Sequence, residues 1–212
     1  MTSSDAMRDE ILLAALSHVP FDGWGEAALA RGAEDAGHDA ATARRLFPGG
    51  AMEMIAAHNR YADRIMLEEL ARRDLDAMKV RERIIAAVRV RLEQNVPHRE
   101  AVRRGMTTLA LPQNAVLATK LLYKTVDAMW YAAGDTSTDY NFYTKRMLLA
   151  GVYSTTLMCW LNDNSDEFSS TWVFLDRRVA DVMKVPKVMA RASKVLGRLP
   201  DPFRLLRSVR SA

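Results

Sequence analysis

Residues 26–73, EAALARGAEDAGHDAATARRLFPGGAMEMIAAHNRYADRIMLEELARR, decide the fold. They read as two short helices, Glu26 to Asp35 and Asp39 to Leu46, followed by a long one from about Ala51 to Arg73. Gly37 suits the left-handed position that ends the first helix, and Asp39 can cap the second. Phe47-Pro48-Gly49-Gly50 then punctuates the chain. Upstream, Asp5 to His18 places Ile11, Leu12, Ala15 and Leu16 on one face, and Pro20, Gly23 and Gly25 break that helix.

Downstream the helical period continues without any alternating strand pattern. Helices are expected at 80–95, 98–109, 113–133, 140–161 and 167–182. Their separators are Pro97, Pro112, the run Gly134-Asp135-Thr136-Ser137, and the run Asn162-Asp163-Asn164-Ser165. Residues 147–161 are apolar nearly all round, as expected of a helix buried at the centre of a bundle. The whole is an all-α chain with three parts: a helix-turn-helix-like region at 1–50, a bundle at 51–183 and a basic tail at 184–212. Short helix, turn, short helix, then a long helix and a bundle is an order that resembles the TetR architecture.

The chain has 212 residues, room for one sizeable core or two small ones. No apolar run approaches the roughly 20 residues of a membrane-spanning helix. Met1 to Glu10 is polar and acidic, unlike a secretory signal or an Arg-rich transit peptide, so a bacterial-type cytoplasmic location beside the inner membrane is expected, or else a chain whose transit peptide has been left out. Cys159, the single cysteine, lies between Met158 and Trp160 and is expected to be a buried, inert thiol.

The net charge of +4 is unevenly spread, because residues 184–212 hold eight basic side chains and one acid, Asp201. There Val185, Val188, Met189, Ala192, Val195, Leu196 and Leu199 recur at helical spacing. Lys184, Lys187, Arg191, Lys194 and Arg198 keep the same rhythm on the other side. Such a segment suits the interface of an anionic bilayer, where each basic group contributes about 1 kcal/mol. The other reading of the tail is a terminal helix packed on the bundle with its lysines in water.

Residues 127–179 carry a more particular signal. The pieces are Asp127-x-Met129-Trp130, Ala133-Gly134-Asp135-x-Ser137-Thr138-Asp139-x-Asn141-x-Tyr143, Lys145-Arg146, Tyr153-x-Thr155-Thr156 and Thr171-Trp172-x-Phe174-Leu175. With Leu46-Phe47-Pro48-Gly49-Gly50 and Leu111-Pro112-x-Asn114, the chain resembles the accessory proteins of ubiquinone biosynthesis, a lipid-binding family with a TetR-like fold. No cofactor and no catalysis are expected, since no metal-ligand or nucleophile motif stands out. The resemblance implies an isoprenoid or quinone lipid in the bundle and a C-terminal amphipathic helix that docks on a membrane. It also implies a surface patch for the demethoxyubiquinone hydroxylase, falling here on Leu92, Asp127, Met129, Asp139, Phe142, Tyr143 and Arg146. Phe142 stands where the family often has Trp, an aromatic anchor without an indole donor. By spacing, Asp139, Phe142, Tyr143 and Arg146 share one helical face, which fits either a contact patch or a core and rim stripe. TetR-like bundles commonly dimerise, so a homodimer is expected by analogy.

Other chemistry finds little footing. His18, His38, His58 and His98 lack metal-ligand spacing, and no phosphate-binding glycine loop or nucleophile elbow is present. The alternative is a TetR-type transcriptional repressor. Its helix-turn-helix would have to bring bases to phosphates, yet residues 24–47 hold Glu26, Glu34, Asp35 and Asp39 against Arg31, Arg44 and Arg45. Nucleic acid is therefore not an expected partner.

Overall fold

The computed structural model describes residues 3–135 and 140–184, and every element in them is helical. Four helices form an N-terminal unit: α1 (Ser3–Leu16), α2 (Val19–Asp22), α3 (Glu26–Asp35) and α4 (Ala40–Leu46). Six more form the bundle: α5 (Gly50–Ala71), α6 (Val80–Glu93), α7 (Arg99–Leu109), α8 (Ala115–Ala132), α9 (Tyr140–Asn162) and α10 (Ser169–Val182).

The turn chemistry read from the sequence is in place. Gly37 has φ +73°, and the Asp39 carboxylate accepts from the Thr42 amide at 2.6 Å, capping α4. Pro20 differs from expectation. It opens the single-turn helix α2, because a first-turn residue has no intrahelical N–H bond to lose. Ile11, Leu12, Leu29, Ala33 and Phe47 make the small core of the N-terminal unit, and α5 closes it with Met54 and Ala57. α5 thus serves both parts, since Met66 and Leu70 further along it belong to the bundle core with Val88, Val126, Trp160 and Leu175. Gly32 lets α1 and α3 cross: a Cβ there would lie 2.4 Å from the Ala15 backbone nitrogen.

Two expectations about α9 and α10 change. α9 buries Leu149, Val152, Tyr153, Thr156, Leu157 and Trp160, but Met147 is 76% and Met158 52% exposed. An apolar composition all round therefore does not enclose this helix; one face remains open beside Gly151 and Thr155. α10 begins at Ser169, after Glu167 (φ 51°) and Phe168 (φ 58°) adopt left-handed backbone. Phe168 holds that costly conformation between the rings of Trp160 and Trp172. Asp163 does the capping, accepting from the Thr171 amide at 2.8 Å and hydroxyl at 2.6 Å and from the Ser165 amide at 2.8 Å.

Candidate functional site

The C-terminal end of α8 and the N-terminal end of α9 are clasped by charge. Arg146 lies across the junction and is 6% exposed. Its Nε donates to Asp127 at 2.7 Å, and its Nη1 donates to Asp135 at 3.2 Å and to the Phe142 carbonyl at 3.3 Å. The guanidinium also sits over the Phe142 ring. Lys145 reaches Asp135 at 2.8 Å, and the Trp130 indole donates to the Lys145 carbonyl at 3.1 Å. Gly134, with φ +81°, ends α8, and Arg83 fills the space where a Cβ would stand.

The sequence-derived patch divides on this geometry. Tyr143 is 64% exposed, with Phe142 edge-on to it at 5.1 Å, and Asp127 is half-exposed. Leu92 and Met129 are 1% and 0% exposed, in the bundle core, so neither can be touched by a docked partner here. Both were assigned by motif position, and a motif match does not say which face of a helix a residue takes. Arg146 is likewise a clasp under the patch and not part of its outer surface. Asp139 lies outside the described residues. Two exposed side chains on the same helix pair, Tyr131 at 77% and Met147 at 76%, were missed. Spacing offered a signal for both, as Tyr131 stands four residues beyond Asp127 and Met147 four beyond Tyr143.

Inside the bundle three hollows matter. The largest, about 430 Å³, lies between α6, α8, α9 and α10 and is walled by Ile84, Leu148, Leu149, Val152, Val179 and Val182. Asp135 and Lys145 of the clasp also line it. A second, about 270 Å³, is walled by Met106, Leu109, Leu121, Leu122 and Leu157. It shares Asn59, Tyr153 and several of these leucines with a third hollow of about 60 Å³ in the bundle core.

The small hollow is bordered by a buried polar network. The Asp63 carboxylate receives Arg91 Nε at 2.8 Å, Asn59 Nδ2 at 3.0 Å and Thr125 Oγ1 at 2.9 Å, the acceptor set of an ionised group. Burial still pushes the Asp63 carboxyl above its ordinary value, and Arg91 beside it pulls back. Asn95 donates to the Arg91 carbonyl at 2.9 Å and hydrogen-bonds His58. Burial, reinforced by the Arg91 charge, pushes His58 down to about 3, so its imidazole is neutral. Burial raises the Tyr153 phenol, which stays protonated. Trp24 donates to the Ala101 carbonyl at 2.9 Å and lies tilted against His58, ring centroids 5.7 Å apart, tying the N-terminal unit to this spot. None of this network was singled out from the sequence, because its members are spread over α5, α6, α8 and α9.

The helix-turn-helix surface has little free positive charge. Arg44 is paired with Glu26 at 2.5 Å and Arg31 with Asp22 at 3.2 Å, while Arg45 donates to Thr42. Of the tail assignments, Lys184 is exposed and paired with Asp181 at 3.6 Å. Lys187, Val188, Arg191, Lys194, Val195, Leu196, Arg198 and Leu199 lie outside the described residues. Cys159 is half-buried, not fully buried as expected, with the Thr171 hydroxyl 3.8 Å from its sulfur.

A helix-turn-helix-like unit tied by one long shared helix to a six-helix bundle defines an all-α protein of TetR-like fold. A TetR transcriptional regulator from Nitrosomonas europaea superposes with a TM-score of 0.69, covering 84% of this chain and 98% of its own. At 21% identity that likeness concerns the fold alone. The COQ9 family model matches residues 115–186. Ubiquinone biosynthesis protein COQ9-B, mitochondrial, of Xenopus laevis is 33% identical over 90% of this chain and 67% of its own length. The mitochondrial COQ9 proteins of Rattus norvegicus and Homo sapiens are 36% and 35% identical over 86% of this chain. The chain belongs to the COQ9 family. It spans about three fifths of the length of the rat and human relatives, 61% and 59%. These relatives are named as mitochondrial, which corrects the bacterial-type cytoplasmic location expected from the polar first ten residues. Such a start is no guide to compartment in a chain matching only part of its relatives.

Proposed function

We propose that this protein is a lipid-binding accessory factor of ubiquinone biosynthesis, holding an isoprenoid quinone intermediate in its bundle and presenting it to the demethoxyubiquinone hydroxylase at a membrane surface. The observation that carries the reading is the apolar hollow of about 430 Å³, a size typical of small-molecule sites, whose wall includes the Asp135–Lys145 pair of the clasp. A lipid leaving by that end arrives beside Phe142 and Tyr143, the aromatic pair that suits a hot spot for the hydroxylase. The basic, apolar-backed tail from Lys184 supplies attraction to an anionic bilayer. Met158 and Val173, each about half exposed on α9 and α10, suit the contact of a homodimer. Nucleic acid has no part in this reading, because Arg31 and Arg44 of the helix-turn-helix are paired with Asp22 and Glu26.

Native mass spectrometry of the full chain, followed by lipid extraction, tests the core of it. Recovery of isoprenoid lipid supports the reading, and a chain that takes up none from a quinone-containing extract overturns it. Capture of the hydroxylase is expected to weaken in Tyr143→Ala with thermal stability unchanged, and unchanged capture removes Tyr143 from the interface. Flotation with anionic vesicles is expected to depend on residues 184–212, and equal flotation without them overturns the docking role.

A further inference from the structure

The clasp joins the largest hollow to the outer patch through one alternating run of charge. Asp127 bonds Arg146 at 2.7 Å, Arg146 bonds Asp135 at 3.2 Å, and Asp135 bonds Lys145 at 2.8 Å. Asp127, at the outer end of the run, has a side chain 45% exposed on the patch. At the inner end, Asp135 and Lys145 bring the only charges that the described wall of the 430 Å³ hollow carries. An apolar space is therefore closed, at one place, by an ion pair.

The members of the run are not equally able to leave it. The Asp135 and Arg146 side chains are 4% and 7% exposed, so parting either from its partner strands a buried charge. The Lys145 side chain is 38% exposed and can turn its ammonium into water. Beneath it the Trp130 indole donates to the Lys145 carbonyl at 3.1 Å, so the backbone of α9 stays fixed while that side chain swings. Arg146 carries a planar fork able to give two donors to one carboxylate. Once the Asp127 charge is satisfied from outside or removed, the fork can take Asp135 entirely, and the group displaced is Lys145.

We infer that these four side chains form a partner-operated latch. A basic group that the docked hydroxylase presents to Asp127 shifts Arg146 wholly onto Asp135 and releases Lys145, opening the wall of the hollow at the end where the patch lies. One cation arriving at the outer end expels one at the inner end, so the buried charges stay matched throughout. The inference rests on the lipid-binding and partner readings above and adds how docking reaches the cavity. Lipid is retained by the undocked protein and let go where an acceptor has docked. Asp127→Asn removes the same charge that the partner satisfies, so it opens the latch with no partner present.

The test loads the full chain with a benzoquinone bearing two isoprene units. Its release to neutral phosphatidylcholine vesicles is followed by recovery of tryptophan fluorescence, Trp130 being part of the wall of the hollow. Release is expected to be about threefold to tenfold faster than from the parent in both Asp127→Asn and Lys145→Met, the effect of losing one partly exposed ion pair. Lys145→Arg, which keeps the cation, is expected to restore slow release. Asp176→Asn, which breaks an exposed pair with Arg81 elsewhere on the bundle, is expected to leave release unchanged. Asp127→Asn combined with Lys145→Met is expected to release no faster than either alone, whereas independent loosening would multiply the two effects. Added hydroxylase is expected to speed release from the parent by a similar factor and to add nothing in Lys145→Met. Parent-like release from Asp127→Asn, multiplied effects in the double variant, or a hydroxylase without effect on the parent overturns the latch and leaves the lipid-binding reading intact. A parent chain that takes up no quinone overturns both.

Discussion

Replacing Arg146 with Met removes the centre of the clasp while keeping an unbranched side chain. The Asp135 side chain is 4% exposed and would lose its 3.2 Å contact to Arg146, keeping Lys145, whose own side chain is 38% exposed. Asp127 would lose its 2.7 Å partner, but at 45% exposure water can replace it. Breaking a buried pair typically costs about 3–5 kcal/mol, and the surviving lysine and the exposed Asp127 argue for the low end, about 3 kcal/mol. For a chain of this size that corresponds to a fall in melting temperature of roughly 6–12 °C, readable by circular dichroism. Most of the cost is assigned to stranding Asp135, so Arg146→Met combined with Asp135→Asn is expected to recover more than half of it. A single variant melting within about 2 °C of the parent would refute the clasp as a stabilising element. A double variant no more stable than the single would refute the assignment of the cost to Asp135.

Gly32→Ala is expected to destabilise despite alanine's higher helix propensity. Its Cβ meets the Ala15 backbone, which cannot rotate away, so overpacking of about 1–3 kcal/mol outweighs a gain of about 1 kcal/mol, and a melting temperature at or above the parent's would contradict it. Acid is expected to weaken the fold through His58. Its folded pKa, about 3, lies below the ordinary imidazole value of 6.5, so stability is full above pH 6.5 and is lost as the unfolded chain takes up the proton between there and pH 3. Urea unfolding should show a loss of about 2 kcal/mol between pH 6.5 and 5 that His58→Asn removes, and identical slopes in parent and variant would exclude His58 as the source. Asp63, raised by burial, acts in the opposite sense at the acid end. Asp163→Ala is expected to fray the start of α10, exposing the Thr171 amide to hydrogen exchange, and unchanged protection there would show that Asp163 is not the cap.

How much of this was legible in sequence follows the range of the interactions involved. The helices and their stops are written locally: Gly37, Asp39 and Gly134 each act within a few residues, and the structure places all three where the spacing put them. The unexpected start of α10 is different, because the left-handed Phe168 depends on Trp160 in the preceding helix and Trp172 in its own. The same division runs through the patch. Family motifs marked Asp127 to Arg146 as special, but only packing separates exposed Tyr143 from Met129 in the core and Arg146 beneath the aromatic pair.

The buried polar network is the case where sequence reading has least to work with. Asn59 and Asp63 on α5, Arg91 on α6 and Thr125 on α8 look, taken singly, like the solvated polar positions of amphipathic helices. Between the helices they instead bond to one another in a single network. Their charges are internally matched, so the space they keep is polar without carrying net charge. A bundle needing only stability would gain from packing that space with hydrocarbon, since replacing a buried ion pair by well-packed apolar groups is often neutral or stabilising. A polar core with a Trp160 donor that has no partner among the described residues is therefore a departure from packing for stability alone.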